Sequence, residues 1–118
     1  MTALEVGQEL VSLCRQGKHE EAIERFYAND ILSVEAAGEN PEVRGLDGIR
    51  AKIEWWDANN EIKRAEVRGP FPHGEQFAVL YDYDILEKTS GQEMRLEEVA
   101  VYTVKDGKIV EERFFYTM

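Results

Sequence analysis

The feature that most constrains the fold is a set of three extended stretches filling the last third of the chain. They span Gln76–Lys88, Met94–Val104 and Lys108–Tyr116, and short turn-forming segments separate them. Strands that follow one another through short turns pair as antiparallel neighbours. The end of the chain is therefore predicted to be an antiparallel sheet, and the residues before it must supply what packs against it.

Helical patterns dominate the first half of the chain. Thr2 and Glu5 fit a capping box at the start of a first helix, and Gly17 is placed to end it. Apolar residues at helical spacing predict two further helices, at His19–Ala28 and Leu46–Asn59. The remaining predicted segments are a short strand at Ile31–Ala36, a loop at Ala37–Gly45, an extended segment at Glu61–Arg68 and a connection at Gly69–Gly74.

The order of these elements predicts the fold class. Helices followed mainly by strands are typical of α+β domains, in which an antiparallel sheet folds over helices. A chain of 118 residues is large enough for one hydrophobic core and too small for two. We therefore expect a single domain over residues 1–118, with a curved antiparallel sheet wrapped around the N-terminal helices.

Composition excludes several classes of partner. The formal net charge of −10, from 24 acidic and 14 basic residues, argues against nucleic acid and anionic membrane surfaces. The same charge also serves solubility alone. Cys14 is the single cysteine, so no intrachain disulfide forms, and a reducing compartment is expected. With no apolar signal core near Met1 and no apolar run long enough to span a bilayer, we predict a cytoplasmic protein.

The inner face of the predicted sheet mixes tyrosines with glutamates. An ordinary core-facing surface is aliphatic, because a buried unpaired carboxylate is costly. A concave face of phenols and carboxylates is more typical of a polar small-molecule pocket, although tyrosines also occur where a sheet simply meets helices. The residues of this face are Tyr81, Tyr83, Glu98, Tyr102, Glu112 and Tyr116.

The turn at Lys105-Asp106-Gly107 sets the register of the last two strands. A two-residue turn at Asp106-Gly107 pairs Lys105 with Lys108 and places Tyr102 opposite Glu111. A three-residue turn with a bulge at Gly107 instead pairs Val104 with Lys108. Asp-Gly suits both turns. We prefer the bulged register, because it places one set of residues together on the inner side of the sheet. It also makes Glu98 and Glu112 diagonal neighbours there. That inner side is Leu96, Tyr102, Val110, Phe114 and Tyr116.

The opposite side of these strands is too apolar to be left in water. An exposed apolar sheet face usually marks a partner surface. A homodimer joined sheet to sheet is the simplest arrangement that covers it. The outer residues are Val99, Val101, Thr103, Arg113 and Phe115.

Three motifs resemble the SnoaL-like branch of the nuclear transport factor 2-like superfamily. They are Phe26–Asp30 closing the second helix, Arg44–Ile49 opening the third, and Lys105–Val110 between the last two strands. The resemblance covers essentially the whole chain. It implies a curved sheet wrapped around helices to form a cone-shaped cavity, and it leaves the chemistry open because the superfamily is functionally diverse.

The resemblance also assigns individual positions. In ketosteroid isomerases the segment similar to Tyr27–Glu35 ends on the general base, which implies that role for Glu35. The isomerase's hydrogen-bond donors to the oxyanion fall at Leu10 and Ala100, which cannot donate. The water-activating Arg and Asp residues of limonene epoxide hydrolase-like members fall at Tyr81, Tyr83 and Phe114, so the resemblance does not predict either activity.

Glu35 is the first candidate for chemistry. A carboxylate in an apolar hollow holds its proton more tightly, which suits a general base working near neutrality. Glu98 and Glu112 join it as candidates, either sharing a proton or presenting a cation site. The alternatives are that Glu35 pairs with Arg113, Arg95 or Arg50 and ties elements together, or that it anchors a ligand without chemistry.

Aromatic residues are the predicted ligand contacts. Trp55 either closes the cavity mouth or packs under the Ala37–Gly45 loop, and we favour packing. We predict no metal and no cofactor, since His19 and His73 lack zinc-like spacing and no phosphate-binding loop is present. The predicted ligand-binding residues are Trp55, Tyr81, Tyr83, Tyr102, Phe114 and Tyr116.

Three functions fit these patterns. The first is a cofactor-independent isomerase, cyclase or lyase that moves a proton next to the carbonyl of a small, neutral, hydrophobic compound. The second is a protein that binds such a molecule without changing it. The third is a dimeric assembly domain whose interior is filled by its own side chains.

Overall fold

The computed structural model describes residues 1–117. Over this range, helices pack on a single mixed sheet, and the predicted α+β class is confirmed. The elements are α1 (Ala3–Arg15), α2 (His19–Phe26), β1 (Tyr27–Val34), β2 (Glu42–Arg44), α3 (Leu46–Asn59), β3 (Asn60–His73), β4 (Gln76–Glu87), β5 (Glu93–Lys105) and β6 (Lys108–Phe115).

The sheet has the order β2-β1-β6-β5-β4-β3. β1 runs parallel to β6, and the other neighbouring strands are antiparallel, so the predicted antiparallel sheet is wrong at this one pair. Parallel neighbours need a long connection, which the chain supplies by passing through α3 and two hairpins before it returns as β6. The parallel pair places Ser33 directly opposite Glu112.

The capping box that starts α1 is confirmed. The Thr2 hydroxyl accepts the backbone N–H of Glu5, and the Glu5 carboxylate accepts the backbone N–H of Thr2. The buried side of α1 faces the sheet and packs mainly on β3 and β4, while α2 packs against α1 and β1. The largest fully buried core side chains are Phe77, Leu10, Ile31, Ile49 and Ile109.

The register of β5 and β6 differs from the preferred prediction. Asp106 and Gly107 have φ angles of 51° and 75°, so they form a two-residue turn that pairs Lys105 with Lys108. The register then shifts, because Val104 pairs with Ile109 while Thr103 pairs with Glu111, which leaves Val110 as a bulge. The consequence is that Tyr102 lies opposite Glu112, a pairing that neither predicted register contained.

This register also separates two of the predicted acidic residues. Ala100 lies opposite Phe114, so Glu98 lies beyond that pair and Glu112 lies before it. Glu98 and Glu112 are therefore not diagonal neighbours, so the predicted placement is wrong, while their sharing of a proton or a cation stays a prediction. The buried residues of β6 are Ile109 and Glu112, whereas Val110 in the bulge is half-buried.

Three segments before β4 differ from their predictions. β1 begins at Tyr27, inside the predicted helix, and the predicted loop contains the short strand β2. β3 continues through the predicted connection as far as His73. Pro70 and Pro72 are tolerated there because β3 is an edge strand, where a missing backbone N–H costs no ladder hydrogen bond on the open side.

None of the helices within residues 1–117 is both long enough and apolar enough to cross a bilayer.

Candidate functional site

An ion pair between α3 and the end of β1 forms one side of the site. The Lys52 ammonium contacts the Glu35 carboxylate, and both side chains are about one quarter exposed. The Tyr116 hydroxyl donates a 3.0 Å hydrogen bond to the other oxygen of Glu35. Burial, together with this bond to the negatively charged carboxylate, raises the pKa of Tyr116 to about 12. Glu35 is therefore paired rather than isolated.

The partner of Glu35 is not one of the predicted arginines. Arg50 binds Glu20, Arg95 binds Asp82 and Glu97, and Arg113 binds Glu111. Glu35 does form an ion pair that ties two elements together, as one interpretation expected. The cation is Lys52 of α3 rather than an arginine. The surroundings of Glu35 are therefore not purely apolar, because they include the Lys52 ammonium and the Tyr116 hydroxyl.

A second carboxylate, Glu112, is held inside the protein by hydrogen bonds. Its residue is 3% exposed. The Tyr27 hydroxyl donates to one carboxylate oxygen at 2.7 Å, and the Ser33 hydroxyl donates to the other at 2.9 Å. Lys52 in turn donates to Ser33 at 2.8 Å, which links this cluster to the Glu35 pair. Burial raises the pKa of Glu112, while the Tyr27 bond is the main opposing effect.

Glu98 differs from these two carboxylates because it has no partner. Among residues 1–117 its carboxylate forms no hydrogen bond and no ion pair, although its side chain is only partly exposed. Burial and, secondly, the negative charge of Glu35 raise the pKa of Glu98 from 4.5 to about 7. Lys52 opposes this rise, which places its ammonium within electrostatic reach of Glu98. Glu98 is thus a partly buried carboxylate that combines a raised pKa with the lack of a partner among the described residues.

Two of the tyrosines predicted to contact a ligand form a hydrogen bond with each other. The Tyr81 and Tyr102 hydroxyls lie 2.7 Å apart, and the two residues are 4% and 2% exposed. Burial raises the pKa of both well above the ordinary value. The Cys14 thiol lies 3.8 Å from the Tyr81 hydroxyl and from Nδ1 of His19. These phenols therefore belong to the buried core.

The other predicted aromatic contacts lie nearer the surface. Tyr83 is 9% exposed, and among residues 1–117 its hydroxyl has no hydrogen bond. The Phe114 ring lies with its centroid 5.0 Å from Nζ of Lys52. Trp55 is 66% exposed, so the favoured prediction that it packs under the loop is wrong. Contact of these residues with a ligand stays a prediction.

The network contains three residues that were missing from the predicted site: Tyr27, Ser33 and Lys52. A signal for Lys52 was present, since it lies three residues after Ile49 and four before Trp56, on the inward stripe of α3. Strand alternation likewise placed Ser33 on the same side as Ile31 and Glu35. No comparable pattern marked Tyr27, which falls at the boundary of α2 and β1.

Two cavities of the structure lie away from this network. One, of about 340 Å³, is bounded by the start of α1, the β3–β4 turn and the β5–β6 turn. Another, of about 350 Å³, lies between β3, β4 and β5 near Ile85 and Met94. Neither is lined by a predicted site residue, so the cone-shaped cavity at the glutamates stays a prediction. Within residues 1–117 no group of three or more His, Cys, Asp or Glu side chains is arranged to hold a metal ion.

The outer face of the sheet carries the predicted partner residues together. Val99 lies opposite Phe115 and Val101 lies opposite Arg113. Val99 is 38% exposed and Phe115 is 54% exposed. The placement of an apolar outer strip is therefore confirmed, and its role as an interface stays a prediction.

Comparison with known proteins gives a family. A family model described as "SnoaL-like domain" matches residues 1–116. A crystal structure of a protein from Mesorhizobium loti, provisionally assigned as a SnoaL-like polyketide cyclase, is 39% identical, with a TM-score of 0.93; the match covers 98% of this chain and 100% of that chain. No curated protein matches the chain significantly.

More distant structures share the fold. An NTF2-like protein from Burkholderia thailandensis is 17% identical with a TM-score of 0.86, covering 99% of this chain and 92% of that one. A provisionally assigned polyketide cyclase from Xanthomonas campestris is 16% identical with a TM-score of 0.74, covering 98% and 93%. At this identity the likeness shows the fold alone.

Proposed function

Because the chain belongs to the SnoaL-like domain family, we propose that it binds a small, neutral, hydrophobic carbonyl compound beside Glu98 and moves a proton next to that carbonyl. The family includes a 39% identical relative provisionally assigned as a polyketide cyclase, which supports an isomerase- or cyclase-type reaction. The substrate class is inferred from the site, where partly buried aromatic rings lie near a carboxylate that titrates close to neutrality.

The proposal rests chiefly on Glu98, whose carboxylate has no hydrogen-bond or ion-pair partner among the described residues. Glu35 is occupied by Lys52 and Tyr116, and Glu112 is occupied by Tyr27 and Ser33. Glu98 alone among the three predicted acidic residues keeps its oxygens free for a ligand within the described chain. A base is most effective when its pKa lies near the working pH, and Glu98 has a pKa of about 7.

The proposed step is a proton transfer that needs no added cofactor. The Glu98 carboxylate removes a proton from the carbon next to the ligand's carbonyl, and the C–H electron pair moves to form an enolate. The resulting Glu98 carboxylic acid then returns the proton to the far carbon of a dienolate, when the ligand is an enone. Alternatively, the enolate carbon attacks a second carbonyl of the same molecule, and the alkoxide so formed takes the proton back from Glu98. Both routes leave the protein unchanged and conserve every atom.

This proposal moves the catalytic role from Glu35 to Glu98. Burial is the main cause of the raised pKa of Glu98, and the carboxylates of Glu35 and Glu112 add to it. The oxygens of Glu35 and Glu112 already have partners, which hold these carboxylates in place. Both oxygens of Glu98 are free among the described residues.

Deuterium exchange tests the proposal whichever product the reaction forms. The protein is incubated in D₂O with a panel of aryl ketones and cyclic enones, and NMR follows deuterium entering the carbon next to the carbonyl. We expect wild-type protein to accelerate exchange in at least one compound, and Glu98→Gln to abolish the acceleration. Glu97→Gln is the matched control, since Glu97 is the preceding residue and lies on the outer face beside Arg95.

The result also separates the proposal from ligand binding without turnover. A compound that raises the melting temperature without exchange in wild-type protein would indicate a binding protein instead. Exchange that persists in Glu98→Gln would remove Glu98 from the reaction.

We further propose that a second copy of the chain covers the outer strip of Val99 and Phe115. A half-exposed phenylalanine beside a half-exposed valine on a sheet face is typical of a partner surface. A dimer through this strip would leave the inner face, and with it Glu98, free to bind a ligand.

A further inference from the structure

Lys52 is the cation of the inner network. It lies on the inward stripe of α3 between Ile49 and Trp56, and its side chain is 27% exposed. Its charge opposes the burial-driven rise in the pKa of Glu98 and of Glu112, so it acts on both carboxylates as well as on its partner Glu35. We expect a ligand bound at Glu98 to lie within reach of this ammonium.

The hydrogen bonds of Lys52 leave one donor unused. A lysine ammonium carries three N–H donors. One is directed to Glu35 and another to the Ser33 hydroxyl at 2.8 Å. The third has no hydrogen-bond acceptor among residues 1–117. The Phe114 ring, with its centroid 5.0 Å from Nζ, flanks the ammonium and limits access of water on that side.

Most tyrosine hydroxyls near the network already have hydrogen-bond partners in the protein. Tyr27 donates to Glu112, Tyr116 donates to Glu35, and Tyr81 is hydrogen-bonded to Tyr102. Tyr81 and Tyr102 therefore form a closed, buried pair rather than a free hydrogen-bond donor. Tyr83 is the remaining hydroxyl without a partner in the described chain, and it is the rival donor.

We infer that the third N–H of Lys52 receives the anionic oxygen of the ligand, so that the site selects enolate- and phenolate-like oxygens. The inference rests on the proposed function and deepens it by naming the group that holds the developing charge. A positive charge fixed in place before reaction stabilises an oxyanion without reorganisation, which is the most effective form of such catalysis. The ion pair with Glu35 and the bond to Ser33 hold the ammonium still.

Nitrophenols test the inference directly, because their absorption spectra distinguish the bound phenol from the bound phenolate. Wild-type protein is titrated with 4-nitrophenol over a range of pH. We expect the apparent pKa of the bound nitrophenol to fall by about one unit, equal to a tenfold preference for the phenolate. Lys52→Met is expected to abolish this shift, and Lys52→Arg to restore most of it.

Two controls keep the test specific. Arg50→Met removes a cation two residues away on α3 that binds Glu20 at the surface, and it should leave the shift unchanged. If Lys52→Met does not fold, the double variant Glu35→Gln, Lys52→Gln keeps a neutral hydrogen-bonding pair and should also lose the shift.

The outcomes separate this inference from the proposed function. Nitrophenol that stays protonated when bound, or fails to bind, overturns the role of Lys52 whatever the deuterium exchange shows. A shift that is lost in Tyr83→Phe and kept in Lys52→Met assigns the oxyanion to Tyr83 instead. A shift lost only with Lys52, in a protein that catalyses no exchange, upholds the anion site and overturns the proton transfer.

Discussion

Glu97 and Glu98 are consecutive residues of β5, yet their carboxylates lie on opposite faces of the sheet. Glu97 forms a 2.8 Å ion pair with Arg95 on the outer face, whereas Glu98 has no partner among the described residues. Because neighbouring side chains of a strand alternate, one sequence position separates a solvated surface charge from a partly buried carboxylate. The pair therefore supplies a natural site and control for experiments.

The first prediction concerns stability and pH. The pKa of Glu98 is raised from 4.5 to about 7, so the folded protein keeps a proton that the unfolded chain has already released. Folding stability from this group is then greatest at low pH and is lost as the pH rises through 4.5 towards 7. The loss is about 3 kcal/mol. Glu98→Gln should gain that amount relative to wild type between about pH 5 and about pH 8 in urea unfolding.

Comparison between variants isolates this effect from other titrating groups. Glu35, Lys52 and Glu112 all face Glu98 and remain in both proteins. Glu97→Gln should follow the wild-type pH dependence. Parallel curves for wild type and Glu98→Gln would show that Glu98 has an ordinary proton affinity.

A second prediction concerns the bond from Tyr27 to Glu112. Tyr27→Phe removes a 2.7 Å hydrogen bond to a carboxylate that is 3% exposed. Leaving such an oxygen unsatisfied should cost about 1 to 3 kcal/mol of unfolding free energy. Tyr116→Phe, which removes a bond to Glu35, should cost less than about 1 kcal/mol because Lys52 still pairs with that carboxylate. Equal costs in chemical denaturation would contradict the assignment of Glu112 as the more dependent group.

A third prediction compares two ion pairs that α3 makes with other elements. A double-mutant cycle on Glu35→Gln and Lys52→Met should give a coupling energy of about 1 to 2 kcal/mol, since the pair is mostly shielded from water. The same cycle on Glu20→Gln and Arg50→Met should give about 0.5 kcal/mol or less, because that pair is exposed. A coupling for Glu35 and Lys52 as small as the surface value would mean that the pair does not fix α3 to β1.

A fourth prediction addresses the outer strip. Light scattering should give wild-type protein a mass twice the 13.6 kDa of the chain. Phe115→Glu places a charge within the strip and should produce monomers. Leu4→Glu changes an exposed residue of α1 instead and should leave the dimer intact. A wild-type monomer, or a Phe115→Glu dimer, would rule out this face as the interface.

Local sequence signals predicted most of the fold. The capping box of Thr2 and Glu5, the bounds of α3 and the start of β4 follow from patterns confined to a few residues. The bulge at Val110 was not predictable in this way, because Asp106-Gly107 fits more than one turn and the bulge lies beyond it. One extra residue there moved Glu112 opposite Tyr102 and away from Glu98.

The site was predicted in outline, with its roles misplaced. Alternation along the strands indicated Glu98 and Glu112, and the family resemblance indicated Glu35, but neither carries information on which carboxylate gains a partner from another element. That choice depends on α3, whose Lys52 reaches Glu35 and leaves Glu98 free. Roles that depend on long-range contacts of this kind require the three-dimensional arrangement.

The most direct test is the proton affinity of Glu98 itself. Carbon-13 NMR of the side-chain carboxyls, with Glu98 assigned through Glu98→Gln, follows its titration in the intact protein. We predict a pKa of about 7 for this carboxyl. Titration at the ordinary value of 4.5 would contradict it, because Glu98 would then be a solvated carboxylate with no special place in the site.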